Sequence, residues 1–164
     1  TLLSVPTVVV GLVVYSLIGR SGPLGPAQLL FTVPGIVIGE VLLILPLVTA
    51  LTVTAVARTD RDVRKTALAL GASAGQSHWL VIRESRFGVL AAVIAAFGRV
   101  VSEVGVAMIL GGNIDHFTRT LTTAIVVNVD MGDFALALAL GLVLLAISLG
   151  VNVLFQFVQG GGGE

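Results

Sequence analysis

Long stretches with few or no charged residues are the feature that most limits what this chain can fold into. A helix needs about 20 predominantly apolar residues to cross the hydrocarbon core of a membrane. Four stretches are long and apolar enough: residues 1–19, 33–57, 87–110 and 134–158. We therefore predict an all-α, polytopic helical membrane protein with about four transmembrane helices.

The composition supports this class and excludes others. Hydrophobic residues make up 56% of the chain, charged residues 11%, and the mean hydropathy is +1.08. A soluble domain of 164 residues cannot bury so much apolar surface, whereas lipid covers it directly. Nine basic and nine acidic residues cancel, so we expect no nucleic-acid partner. Cysteine is absent, and His78 and His116 are isolated, so we predict no metal site.

The two ends of the chain indicate its extent. Thr1 lies inside an apolar run, with no charged stretch before it as a signal peptide would have. We therefore expect the chain to be truncated at its N-terminus, with earlier helices missing. The glycine-rich residues 159–164 predict a flexible tail, which leaves residues 1–158 as the transmembrane domain.

Basic residues are concentrated between the second and third predicted spans. Residues 58–86 hold six of the nine: Arg58, Arg61, Arg64, Lys65, Arg83 and Arg86. Loops rich in Lys and Arg stay on the cytoplasmic side of a membrane. We therefore predict that residues 58–86 and the C-terminus face the cytoplasm.

The same segment carries a pattern known from one protein family. Residues 65–82 read KTALALGASAGQSHWLVI, with Ala67, then Gly71 four residues later, and Val81 ten residues after the glycine. This pattern resembles the cytoplasmic EAA loop of ATP-binding-cassette importer permeases, the type I transmembrane domain. The resemblance implies that a coupling loop of two short helices docks into a cleft on an ATPase subunit. The implied coupling residues are Ala67, Gly71, Ala72, Ser73, Gly75, His78, Trp79 and Val81.

The loop also departs from the family pattern. The family's acidic residue is Lys65 here, and its closing Leu-Pro is Arg83-Glu84. Taken alone, the loop is equally compatible with a plain connector between two helices. Its position on the basic side and the resemblance of the residues that follow it favour docking.

Four further stretches narrow the resemblance to one branch. ESRFGVLAAVIAAFGR at 84–99, SEVG at 102–105, GGNI at 111–114 and TRTLTTAI at 118–125 are similar to those of tungstate permeases. Molybdate permeases share the Arg-x-x-x-Glu-x-Gly pattern. The resemblance implies a permease that forms the translocation pathway for an oxyanion, with tungstate first and molybdate or another oxyanion as the alternative. It also implies a homodimer, an ABC ATPase subunit, an extracytoplasmic oxyanion-binding protein and a multi-pass location in the plasma membrane of a prokaryote.

The chain has no nucleotide-binding motif of its own. A phosphate-binding loop needs glycines followed by Gly-Lys and Ser or Thr. The only lysine is Lys65, and Arg64 precedes it. We therefore expect a transport subunit and not an enzyme, with no cofactor on this chain and with ATP and Mg²⁺ on the partner ATPase. An intramembrane enzyme or a channel not coupled to ATP is the alternative from another class.

Arg99 and Glu103 are four residues apart and share one helix face. A lone charge inside a bilayer costs at least about 2.5–3.5 kcal/mol, so both side chains should face protein or water. An ion pair that orients its helix is one interpretation, and it is slightly favoured. The other is a lining or gate group on the route of an oxyanion.

Two further patterns give weaker predictions. Gly111, Gly112 and Asn113, together with Thr118 to Thr123, are candidates for contacting an anion at the outer mouth through N–H groups, although a loop or cap role is commoner for such residues. Gly35 and Gly39 form a GxxxG pattern within an apolar span. That pattern predicts close helix packing, either within the subunit or across a dimer.

Overall fold

The computed structural model of the chain describes the backbone of residues 6–160 and the side chains of that range except those at positions 60–62, 156 and 158–160. Every regular element in this part is helical, which confirms the predicted all-α fold. The helices are α1 (Thr7–Ile18), α2 (Val33–Ala69), α3 (Ala74–Glu84), α4 (Arg86–Val101), α5 (Gly105–Gly111), α6 (Leu121–Asp130) and α7 (Phe134–Gly160). A 3-10 turn, Gly25–Ala27, lies between α1 and α2.

α2 is much longer than a membrane span. Its 37 residues extend about 55 Å, whereas the hydrocarbon core of a bilayer is about 30 Å thick. The sequence predicts that this span ends after Ala57. Residues 58–69 contain neither Gly nor Pro, however, so no helix-breaking residue ends the helix there. The predicted cytoplasmic loop therefore begins as a helical extension of α2.

The third predicted span consists of two helices instead of one. α4 and α5 are separated by residues 102–104 and meet at an angle of 60°. Among the described residues, α2 and α7 are long and apolar enough to cross a membrane, and the bent pair adds a third span if it is counted as one. α1 is a shorter apolar helix, and residues 1–5 of the first predicted span lie outside the described part. α7 continues to Gly160, so the predicted tail begins with helical residues, and residues 161–164 are not described.

α1, α2 and α5 pack around a small apolar core. Val14 and Ile18 of α1 and Val106 and Leu110 of α5 are almost completely buried there. Elsewhere the helices leave large apolar side chains uncovered, and only 6% of the most apolar part of α7 is buried within the chain. Lipid or other protein surfaces have to cover the remainder, as in a polytopic membrane protein.

α6 and α7 form an antiparallel hairpin with a short turn after Asp130. Leu121, the first residue of α6, lines the same cavity as Leu144 and Ile147 of α7. α6 therefore begins about 15 Å along α7, measured from the start of that helix. We call residues 112–120, which connect the end of α5 with this point, the returning segment.

Candidate functional site

The turn between α2 and α3 is built from local signals. Gly71 has a φ of +85°, a backbone conformation that residues with a Cβ rarely adopt. The N–H of Ala72 donates to the carbonyl of Ala67, and the N–H of Gly71 to the carbonyl of Leu68, both at 3.0 Å. These two hydrogen bonds end α2 in a Schellman motif. A Cβ on Gly71 would meet nothing within 4 Å, so the backbone conformation and not the available space requires the glycine.

α3 begins at a reciprocal cap that follows this turn directly. The side-chain oxygen of Ser73 accepts from the N–H of Gln76 at 3.3 Å, and Oε1 of Gln76 accepts from the N–H of Ser73 at 2.9 Å. This capping box satisfies N–H groups that the first turn of a helix leaves without partners. Residues 70–73 therefore set the direction in which α3 leaves α2.

α3 has a buried side and an exposed side. Val81 is buried where α3 packs on α2, and so is Ala67 of α2. The exposed side presents Trp79, with 68% of its surface accessible, and Ile82, with 59%. The other predicted coupling residues are exposed or half-buried: Gly71, Ala72, Ser73, Gly75 and His78. Two of the eight predicted coupling residues thus hold α3 on α2, and the other six are open to a partner.

A groove of about 360 Å³ lies between the end of α2 and α3. Its lining residues are Val63, Thr66, Ala67, Leu70, Leu80 and Glu84. Leu70 is 83% exposed at this groove. The predicted cytoplasmic segment also exposes basic side chains, namely Arg58, Arg64, Lys65, Arg83 and Arg86. Uncovered apolar side chains beside positive charge suit a protein partner better than the lipid core.

Glu103 occupies the bend between α4 and α5 and is only 5% exposed. Its Oε1 accepts from the N–H of Gly105 at 2.9 Å and from the N–H of Val106 at 3.4 Å. Its Oε2 pairs with the guanidinium of Arg99 at 3.4 Å. A buried carboxylate needs such partners because an unpaired charge is costly in a low-dielectric environment. The pair expected within one helix therefore connects the last turn of α4 with the first turn of α5.

Arg99 lies on an exposed face of α4. Its side chain is 43% exposed, and Ala91, Ala95 and Ser102, which share its face by helical spacing, are exposed as well. A guanidinium in contact with lipid at the centre of a span costs at least about 2.5–3.5 kcal/mol, so water or protein has to cover this face. The exposed neighbours on this face, Ala91, Ala95 and Ser102, are all small, so the face leaves space beside Arg99.

Glu40 of α2 is a candidate that the sequence analysis did not single out. It is 8% exposed, and its Oε2 has no hydrogen-bond partner among the described residues. It interacts electrostatically with Glu103 and Arg99, and with Glu103 it lines a mostly apolar cavity of about 510 Å³. The signal in the sequence was a lone carboxylate in an apolar span. Its charged neighbours come from another helix, so helical spacing could not identify them.

The bend offers different chemistry on its two sides. An exposed guanidinium can bind an anion, whereas a cavity lined by Glu40 and Glu103 repels one. Of the two sides, the Arg99 face of α4 therefore carries the group whose charge suits an anion. Among the described residues, no group of three or more His, Asp or Glu side chains could hold a metal ion.

The returning segment and the start of α6 hold α5 at both ends. The hydroxyl of Thr118 donates to the carbonyl of Gly111 and accepts from the N–H of Ile114 at 2.9 Å. The hydroxyl of Thr122 donates to the carbonyl of Glu103 at 2.9 Å. Both threonines are buried. Residues 118–122 thus contact the chain immediately before α5 and the last residue of α5.

The predicted outer-mouth residues form the C-terminal end of α5. A Cβ on Gly111 would approach Ile36 to 2.7 Å. Gly112 ends the helix with a φ of +66° and packs against the ring of Phe31. Asn113 also has a positive φ, 49°, and its buried Oδ1 has no partner among the described residues. The two glycines therefore serve packing and helix termination, and Asn113 keeps an unused acceptor.

Gly35 and Gly39 face neighbours within the chain. A Cβ on Gly39 would collide with Leu110 and Val106 of α5, and one on Gly35 would collide with the carbonyl of Leu29. Only a residue without a side chain allows α2 and α5 to approach so closely. Packing within the subunit accounts for both glycines.

Comparison with known proteins points to one family. Residues 1–160 match the family described as binding-protein-dependent transport system inner membrane component. The chain is 45% identical over 154 residues to a probable anion ABC transporter permease protein of Haloferax volcanii. It is 42% identical over 159 and 152 residues to the tungstate uptake system permease proteins TupB of Peptoclostridium acidaminophilum and Campylobacter jejuni.

These similarities cover nearly all of this chain but less of the relatives. The aligned residues make up 91%, 97% and 93% of this chain, and 66%, 70% and 64% of the three relatives in the same order. The chain thus spans about two thirds of the length of the curated relatives that it matches.

Proposed function

This chain belongs to the family of binding-protein-dependent transport system inner membrane components, and on that basis we propose that it is the permease subunit of an ATP-binding-cassette importer for tungstate. The names of two relatives at 42% identity support this cargo, and a third relative is named as an anion permease. Molybdate or another oxyanion is the alternative within the same class.

The observation that carries the anion pathway is the exposed guanidinium of Arg99 at the bend of the third span. Transport requires a contact that attracts an anion without trapping it. Glu103 already occupies part of the guanidinium at 3.4 Å, while 43% of the Arg99 side chain remains accessible. Partial neutralisation leaves a weaker site than a free arginine. The proposed route runs along the face of Ala91, Ala95 and Arg99.

A second copy of the permease completes this route. Lipid is a poor cover for an exposed guanidinium, and the small side chains around Arg99 leave room for water between two subunits. In a symmetric homodimer the same face of each copy would line one shared path. An extracytoplasmic binding protein would deliver the oxyanion to its outer end. Gly111, Gly112 and Asn113 stay candidates for contacts there.

The energy comes from a partner ATPase that holds ATP and Mg²⁺. The exposed side chain of Trp79 and the groove beside Leu70 are the proposed docking contacts, because buried aromatic anchors dominate many protein interfaces. The basic residues of this segment support a cytoplasmic location for α3 and the C-terminus. This orientation puts α3 on the side where ATP is available.

Uptake of isotopically labelled tungstate into proteoliposomes tests this function. The complete transporter is used, with the full-length permease, its ATPase and its binding protein. We expect ATP-dependent uptake that unlabelled tungstate blocks best, molybdate less and sulfate least. Arg99→Met should lower uptake by about tenfold or more, because it removes the charge that meets the anion.

Arg20→Met is the matched control, since Arg20 is exposed in the loop before α2 and lies off the proposed route. Uptake that continues without ATP would contradict the importer. Equal competition by sulfate would contradict the tungstate assignment. Equal losses in the two arginine variants would contradict the route along α4.

A further inference from the structure

At the bend between α4 and α5, three helices contact one residue: α4, α5 and α6 all contact Glu103. We infer that Glu103 and Thr122 are positioning residues for transport, which fix the angle of the bend and thereby the place of the Arg99 guanidinium on the route. Only the consequence for uptake rests on the proposed function. The fixing of the bend is a property of the fold and is measured separately.

Glu103 acts on both helices through different oxygens. Oε1 accepts from the N–H groups of Gly105 and Val106 at the start of α5, and Oε2 pairs with Arg99 in the last turn of α4. Within the described part of the chain, no other side chain caps the first turn of α5. The hydroxyl of Ser102 donates only to carbonyls of α4 and does not cross the bend. Among the described side chains at this point, Glu103 is therefore the one that joins the two helices.

Thr122 connects the same residue to α6. Its hydroxyl reaches the backbone carbonyl of Glu103 at 2.9 Å across 19 positions of the sequence, and Thr122 is 7% exposed. The hydroxyl of Thr118 holds Gly111 at the other end of α5. A displacement of the returning segment and the start of α6 is thus transmitted to α5 and to Glu103. Through Glu103 it changes the position of Arg99.

Burial distinguishes Glu103 from a group that contacts the cargo. Glu103 is 5% exposed, and its side-chain oxygens are engaged by Gly105, Val106 and Arg99. A passing anion can reach the accessible guanidinium of Arg99 but not a buried carboxylate, which would also repel it. Glu103 therefore acts through Arg99, and so does Thr122 at one further step.

Spin labels measure the bend directly. This chain contains no cysteine, so Val93→Cys on α4, away from the face of Arg99, and His116→Cys on the returning segment provide two exposed labelling sites. The labelled full-length permease is assembled with its partner subunits and diluted with unlabelled permease. We expect one narrow distance distribution, which broadens or shifts in Glu103→Gln and in Thr122→Val.

Thr54→Val is the matched control for Thr122→Val. The hydroxyl of Thr54 donates only to the carbonyl of Ala50 in its own helix, and Thr54 is exposed, so this variant should leave the distribution unchanged. Thr122→Val replaces one hydroxyl by a methyl of similar size and keeps the test decisive if Glu103→Gln fails to fold. If the distance distribution in Thr122→Val has the same width and the same mean as in the unchanged permease, the inference is overturned.

Uptake kinetics separate positioning from general stabilisation. Glu103→Gln and Arg99→Met should each lower kcat/KM for tungstate by about tenfold, and the double variant should lower it no further, because contacting residues that act as one unit are coupled. Glu103→Asp should recover part of the loss. If the double variant lowers kcat/KM by the product of the two single losses, the positioning role is overturned. If the unchanged transporter takes up no tungstate, the proposed cargo fails, while the label distances still decide whether Glu103 and Thr122 fix the bend.

Discussion

Two of the interruptions between helices are built in opposite ways. The turn at residues 70–73 uses a glycine with positive φ and a capping box, and its residues are exposed or half-buried. The bend at residues 102–104 contains no glycine and depends on the buried carboxylate of Glu103. Water can satisfy backbone groups at an exposed turn, whereas a break inside a membrane needs a protein partner for each polar group. The first can therefore be encoded locally, and the second depends on contacts between helices.

The two interruptions should also differ in energetic cost. An exposed capping hydrogen bond contributes about 0.5–2 kcal/mol. Removing the buried acceptor at the bend should cost about 1–3 kcal/mol for each N–H group that is left without a partner. We therefore expect single substitutions at the bend to destabilise the whole protein. Those at the turn should chiefly weaken binding to a partner.

Glu103→Met should have the largest effect. It leaves the N–H groups of Gly105 and Val106 without their acceptor and Arg99 without its counter-ion. Each N–H group left without a partner should cost about 1–3 kcal/mol in the free energy of unfolding, and the charge of Arg99 adds less because its side chain is 43% exposed. Thermal denaturation of the purified permease in detergent measures this loss. Glu103→Gln keeps an acceptor for both N–H groups and should lose clearly less stability. Equal losses in the two variants would show that the N–H groups at the start of α5 are not the reason.

The fold was predictable where the signal was a continuous apolar stretch. The predicted second and fourth spans begin at the first residues of α2 and α7, and the predicted family is confirmed. The length of α2 was not predictable from hydropathy, because residues 58–65 are mostly charged and still continue the helix. The bend was not predictable either. In the sequence, Glu103 can be recognised only as one half of an ion pair on one helix. Its partners on α5 and α6 become known only from the fold.

Trp79→Ala should have the next largest effect, and it should act on binding alone. The side chain is 68% exposed, so its removal leaves the fold intact, but a buried anchor in the docked complex would be worth about 2 kcal/mol or more. We expect the amount of copurified ATPase to fall by about tenfold or more. Leu138→Ala is the matched control, because Leu138 is equally exposed on the apolar helix α7, at 67%. Equal losses of ATPase in the two variants would contradict docking through α3.

The predicted coupling segment could be identified from the sequence more readily than the polar site at the bend. The glycine turn and the cap involve residues within five positions of each other, so a local pattern carries them. Arg99 and Glu103 were visible for the same reason. The contacts of Glu40, Thr118 and Thr122 were not predicted, because their partners in the fold lie far along the chain or belong to other helices. Local spacing identifies pairs on one helix and does not identify contacts between helices.

Gly71→Val should rank third. A β-branched residue at a φ of +85° is strained by about 1–2 kcal/mol, and relief of that strain would turn α3 away from its position on α2. We expect reduced copurification of the ATPase and a small loss of thermal stability. Gly132→Val serves as control, because Gly132 has a similar φ of +81° and a Cβ there also meets nothing within 4 Å, but it lies in the turn between α6 and α7. If Gly71→Val binds ATPase as well as Gly132→Val does, the turn does not determine the docking geometry.

Ser73→Ala should have the smallest effect and gives the sharpest test of the contrast between turn and bend. It removes one half of the capping box and should cost about 1 kcal/mol, confined to the start of α3. Hydrogen exchange in the first turn of α3 should then accelerate about fivefold, while the rest of the chain exchanges as before. Ser16→Ala in α1 is the control, since that exposed hydroxyl donates within its own helix and caps nothing. Faster exchange that also reached α4 and α5 would mean that the turn and the bend are one cooperative unit, and the distinction between a local and a buried interruption would fail.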